Sequence, residues 1–149
     1  MTKQRIYAIL LILGSSMLLY RTLTLIFGGY LAINYWWVST LLIAEFLVDL
    51  ACLASSIWWF VINDRSRDRL PLRLGTAAAL LHAVRVLIFV LGRTGPFLNF
   101  DVRPEYHHLY GETAWFWVYF AATLAVLGVA GVILIWRIRV RNRKTGYTS

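Results

Sequence analysis

The chain has 149 residues, 60% of them hydrophobic, and a formal charge of +8. Apolar residues at that share, arriving in blocks, exclude an ordinary soluble domain and read as an integral membrane protein. The charge does not point to nucleic acid, because eleven of the fifteen Lys and Arg fall in three places.

Those places are Lys3 and Arg5; Arg65, Arg67, Arg69 and Arg73; then Arg137, Arg139, Arg141, Arg143 and Lys144. They are one terminus, one short connection and the other terminus, alternating with connections that carry no such excess. By the positive-inside rule this predicts an all-α integral membrane protein, an antiparallel four-transmembrane-helix bundle with both termini cytoplasmic. The plasma (inner) membrane is the expected location. No soluble-looking segment could bury a core of its own, so residues 1–149 form a single membrane domain.

The first span is expected at about 6–27. Lys3 and Arg5 before an apolar run resemble a signal peptide, but no A-x-A-like cleavage site follows, so a retained helix is expected. Gly14, Met17, Arg21, Thr24 and Gly28 share one face by the helical period, and Gly28 and Gly29 end the span. A short connection with Tyr30, Tyr35, Trp36 and Trp37 follows, of the aromatic type that favours the membrane–water interface.

The second span, about 38–62, carries Glu45 and Asp49 in an otherwise apolar run. Four residues apart, they lie on one helix face, which Cys52 and Ser56 continue. The connection 63–73 alternates charges, includes Pro71 and is expected to be a solvated loop. The third span, about 74–91, puts Gly75, Ala78, His82, Arg85 and Phe89 on one stripe. An outer loop at about 92–112 then holds Asp101, Arg103, Glu105, His107 and His108 among several aromatic residues. Loops of that length are often functional, and this one is expected to cap the outer mouth of the bundle. The fourth span, about 114–136, is the least polar, and Ala121, Ala125 and Gly128 give it a small-residue face suited to close helix contact. No internal repeat or heptad pattern is evident.

Depth decides which ionisable residues can meet. At ~1.5 Å per residue, Arg21, Glu45 and Arg85 lie in one layer near the outer side, with Asp49 and His82 nearer the midplane. Their formal charges cancel with His82 neutral, as a low-dielectric interior requires. Asp49 and His82 form a pair able to trade a proton near neutral pH, as acid–histidine chains in proton-linked transporters do. Arg21 and Arg85 could clamp an anionic group with their planar donor forks. The plain alternative is a set of interhelical ion pairs that fix the bundle and bind nothing.

Other chemistries find little support. Two arginines would repel a metal ion from Glu45, Asp49 and His82, and no H-E-x-x-H motif exists. Adjacent His107 and His108 make a poor chelating pair, and a second intramembrane histidine for haem is missing. No metal or other cofactor is therefore expected. Cys52 is the only cysteine, so no intrachain disulfide can form. No serine has a G-x-S-x-G context, and no catalytic residue is assigned. Four spans with a membrane-embedded acid resemble the small multidrug exporters in outline. Here, however, the acid lies on the second span rather than the first, and no motif matches, so nothing is carried over.

The leading expectation is a small polytopic protein with a charge-balanced intramembrane pocket that binds or transports a small polar or ionic solute, possibly proton-linked. Arg21, Glu45, Asp49, His82 and Arg85 would form that site, with the lipid bilayer and a second copy as partners. The first alternative is a non-catalytic subunit of a larger membrane complex, beside a partner membrane subunit. The second is a membrane enzyme acting on a lipid or isoprenoid.

Overall fold

The computed structural model describes residues 3–92, 95–109, 128, 131, 135–136 and 138–144. The described chain is helical throughout: α1 (Lys3–Phe27), a short α2 (Tyr30–Ile33), α3 (Trp36–Ile62) and α4 (Arg69–Leu91), with 3-10 turns at Arg65–Arg67, Gly95–Phe97 and Pro104–Leu109. Three of these helices, α1, α3 and α4, are long and apolar enough to cross a membrane. At ~1.5 Å per residue the 27 residues of α3 measure roughly 40 Å, more than a hydrocarbon core of ~30 Å. Most of the fourth expected span lies outside the described residues, as do Ala121 and Ala125. Backbone at 128, 131, 135–136 and 138–144 is helical.

Two turns set the hairpins. Gly29 closes the first at φ 84°, a left-handed conformation that costs glycine little. Asn63 ends α3 at φ 55°, its N–H donating to the Trp59 carbonyl at 3.0 Å. α4 begins at Arg69, earlier than the sequence pattern suggests, because Pro71 falls in the first helical turn. There a missing N–H costs nothing and a fixed φ is suitable. Half of the expected inner loop is therefore helix.

α3 packs between α1 and α4, and α1 also touches α4. Ala8 and Leu11, early in α1, cluster with Trp59, late in α3, and with Leu72, early in α4. Thr22 meets Asp49 further along, so consecutive long helices run antiparallel. Tyr7, Phe60, Ile135 and Trp136 pack around that cluster, which brings the C-terminal helical residues onto the same core. A Cβ on Gly128 would meet Ala79 at 3.7 Å, so this glycine faces α4 of its own chain.

The packed faces follow a heptad. Besides Ser55, α3 buries Val38, Leu42, Glu45, Asp49, Cys52, Ser56 and Trp59, at alternating steps of four and three. α1 buries Ala8, Leu11, Ser15, Thr22 and Leu25, again in steps of three, four or seven. That spacing is the seam of left-handed helix packing, carried by buried positions rather than by an apolar sequence repeat. A hydrophobicity scan overlooks it because the seam is the more polar side of each helix. Outward faces carry the large apolar groups, among them Leu10, Leu13, Leu47, Leu50, Leu80 and Leu87. Such a surface suits lipid and would aggregate in water. On α1 the face of Gly14, Met17, Thr24 and Gly28 is exposed rather than packed. Ser15 goes inside because its hydroxyl donates back to the Leu11 carbonyl, and Thr22 because its hydroxyl has both the Leu18 carbonyl and a carboxylate of α3 within reach, which makes burial cheap.

The basic end is built from aromatic and arginine pairs. Arg67 lies 5.3 Å from the Trp58 ring centre, Arg139 5.9 Å from Trp136 and Arg5 5.7 Å from Phe60. Arg139 also pairs with Asp68, tying the C-terminal helical segment to the α3–α4 turn. In that turn the Ser66 backbone N–H and hydroxyl both donate to Asp64, which holds its carboxyl below the usual carboxylate range. A lowered folded-state value means stabilisation that is present above the unfolded value of ~3.9 and lost as pH falls through the folded one. Asp64 therefore contributes no pH dependence between pH 5 and 8.

Candidate functional site

Halfway along the seam lies a connected row of polar side chains. Glu45 and Asp49 come from successive turns of α3 and are fully buried, and His82 on α4 is 2% exposed. Asp49 Oδ2 accepts from two sides. The Thr22 hydroxyl of α1 is 2.9 Å away and His82 Nε2 of α4 is 2.8 Å away. One turn toward the loop end, Arg85 Nε donates to Glu45 Oε2 at 2.5 Å. His82 joins the two pairs, with Nδ1 at 3.5 Å from Arg85 Nη2 and 3.8 Å from Glu45 Oε2. The row thus runs Arg85, Glu45, His82, Asp49, Thr22, across three helices.

The seam explains why these side chains meet. Glu45 and Asp49 occupy consecutive seam positions of α3, while His82 and Arg85, three apart on α4, face them with the opposite chain direction. Antiparallel packing therefore sets the later α4 residue against the earlier α3 residue. Arg21, one residue before Thr22, sits at the flank of the packed face and is half-buried. It lies within electrostatic reach of Arg85 and of Tyr30. Glu45 takes Arg85 as its partner, which decides between the two arginines that the depth argument left open.

Thr22 is the member that sequence reasoning missed. A threonine in a membrane helix carries no charge to attract notice, and the only signal would have been its seven-residue offset from Ser15. Its hydroxyl has one proton and two acceptors in reach, the Leu18 carbonyl at 3.0 Å and Asp49. Replacing Thr22 by Val keeps the shape and removes the donor. A hydrogen bond to a charged group contributes roughly 1.5–3 kcal/mol, so Thr22→Val should lower thermal stability in detergent by about that amount. In Asp49→Asn the same change should cost less, and equal cost in both backgrounds would show that the two side chains are not coupled.

Several buried polar atoms have no hydrogen-bond partner among the described residues: Glu45 Oε1, Asp49 Oδ1 and Ser56 Oγ. Among the described residues each carboxylate is thus satisfied on one oxygen only. No group of three or more His, Cys, Asp or Glu among the described residues could hold a metal ion. His82 spends one ring nitrogen on Asp49 and faces Arg85 with the other, so neither is available as a ligand. Cys52 is buried one turn beyond Asp49 and unbridged.

The outer loop folds back over the first connection. Tyr35 N–H donates to the Asp101 carbonyl at 3.1 Å and Arg103 N–H to the Ile33 carbonyl at 3.0 Å, around a bridge between Asn34 and Val102. Phe100 stacks on Trp37 at 5.7 Å and meets Phe97 edge-on at 6.1 Å. Asp101 and Val102 are buried here, Arg103 and Glu105 are exposed, and half-buried His107 donates from Nε2 to the Val102 carbonyl at 3.0 Å. The side chain of His108 is outside the described residues. Asp101 and His107 are therefore built into the loop's own architecture, while Arg103 and Glu105 face outward. No protein-family model, curated protein or solved structure matches the chain.

Proposed function

We propose that the protein binds or moves a small polar or ionic solute through a proton-linked centre made of Glu45, Asp49, His82 and Arg85. The observation that carries this reading is the pair of fully buried carboxylates, each with one oxygen that has no hydrogen-bond partner among the described residues and both reached by one imidazole. Helix association alone does not need such an arrangement, since hydrogen bonds between membrane helices average only ~0.6 kcal/mol. Ionisable groups inside a membrane domain mark ion or proton paths when they are chained in this way. The basic end is taken as cytoplasmic by the positive-inside rule, and a dimer would supply the room that one small bundle lacks.

Liposomes loaded with a pH-sensitive dye test the reading. Nitrate, phosphate, glycine and potassium gradients are applied in turn, with empty liposomes as the control. At least one solute should change internal pH only when protein is present, and Asp49→Asn should abolish the change. Proton movement that survives both Asp49→Asn and Glu45→Gln would sink the idea, as would none with any solute.

A second reading, a subunit of a larger complex, draws on Phe97 and Leu98, large apolar side chains exposed on the loop. It predicts that the isolated chain aggregates in detergent until a co-purified partner is retained.

A further inference from the structure

The hydrogens of the buried row can be assigned from their partners. Asp49 as a carboxylate only accepts, so His82 Nε2, 2.8 Å away, carries a proton. With His82 neutral, Nδ1 is then a bare acceptor, and it faces Arg85 Nη2, which can only donate, at 3.5 Å. These distances fit a neutral imidazole. In that state the described charges of the centre cancel: Arg21 and Arg85 against Glu45 and Asp49.

A second proton on His82 must go to Nδ1. There it meets a donor and a cation, and the acceptor within reach is Glu45 Oε2, 3.8 Å away. Closing that gap to a normal hydrogen bond takes about 1 Å. The imidazolium then competes with Arg85 for one carboxylate, and the centre carries one surplus positive charge. A low-dielectric site does not hold such a surplus without a counter-charge. The surplus is best met where the row opens. Arg85 is 14% exposed while Glu45 and His82 are not, and Arg21 stands within electrostatic reach on α1.

We propose that protonation of His82 makes it compete with Arg85 for Glu45, and that the guanidinium so loosened binds, with Arg21, one small planar monoanion of the carboxylate or nitrate type. This rests on the proton-linked reading above and adds a ligand class and a direction of coupling. One proton enters at Nδ1 from solvent and one anion enters at Arg85, so the net charge returns to zero. Other groups near the centre among the described residues are Thr22 on α1, Tyr30 on α2 and Cys52 on α3. Among the described residues none of them adds a formal charge at neutral pH.

The test uses the full chain in lipid nanodiscs, with nitrate as the probe because its charge does not change between pH 5 and 8. Nitrate affinity should rise as pH falls, by up to about tenfold per unit, as linkage of one proton to one anion requires. His82→Gln should bind weakly and with no pH slope. If that variant does not fold, Arg85→Lys serves instead. It keeps the charge, loses the planar fork, and should weaken nitrate at least tenfold while the pH slope remains. An affinity equal at pH 5.5 and pH 8, a preference for sulfate, or no nitrate binding at either pH overturns the proposal. Proton movement driven by glycine or potassium and abolished in Asp49→Asn would leave the broader reading standing while this one fails.

Discussion

Arg85→Ala is expected to be the most damaging single change in the membrane core, lowering stability by about 3–5 kcal/mol, the range for removing one partner of a buried ion pair. Arg85 supplies the 2.5 Å bond to Glu45 Oε2, and Glu45 Oε1 has no partner among the described residues. The truncated protein is left with a fully buried carboxylate whose remaining polar contact among the described residues is His82 Nδ1 at 3.8 Å. Thermal melting in detergent reads the loss. Glu45→Gln in the Arg85→Ala background should recover much of it, since an amide is far cheaper to bury than an anion. Equal melting of Arg85→Ala and wild type would mean that the ion pair is not formed.

Gly92→Ala is expected to have the largest effect at the loop end. A Cβ there would fall on Asp101 Oδ1, 2.9 Å from its Cγ and 3.3 Å from the Ile88 carbonyl. Asp101 cannot simply swing aside. It is buried, its carbonyl accepts from Tyr35, and the neighbouring Asn99 N–H donates to the Gly92 carbonyl at 2.8 Å. Overpacking of this kind costs about 1–3 kcal/mol, and here the cheapest relief is to lift the loop off the first connection. Limited proteolysis should therefore cut Gly92→Ala between residues 95 and 109 faster than wild type, with helical content unchanged. Adding Asp101→Ala should remove the collision and restore part of the protection. Identical cleavage in Gly92→Ala and wild type would show that the loop can yield without detaching.

These two sites differ in how far they could be read in advance. Spans, their approximate ends and the shared face of Glu45 and Asp49 follow from composition and a 3.6-residue period, which are local. His82 and Arg85 on one stripe of α4 are legible for the same reason. The contact between Gly92 and Asp101 is not, because it joins two residues nine apart through an irregular turn that has no period to follow.

What the sequence by itself determined is a helical chain with long apolar spans, read as four, of which three are seen as long apolar helices among the described residues, together with a row of charges within those spans and a basic excess at chosen connections. Each depends on residues near one another in the chain. Which face of α1 turns inward was a tertiary decision. Ser15 and Thr22 pack while Met17 is exposed, because small hydroxyl side chains with an acceptor in reach fit the close seam that large apolar groups leave for lipid. Pairing was decided in the same way: only the rotation and register of α3 against α4 set Glu45 on Arg85 and Asp49 on His82, with Arg21 left at the flank. A helix states which residues share a face, and the packing of its neighbours decides what that face meets.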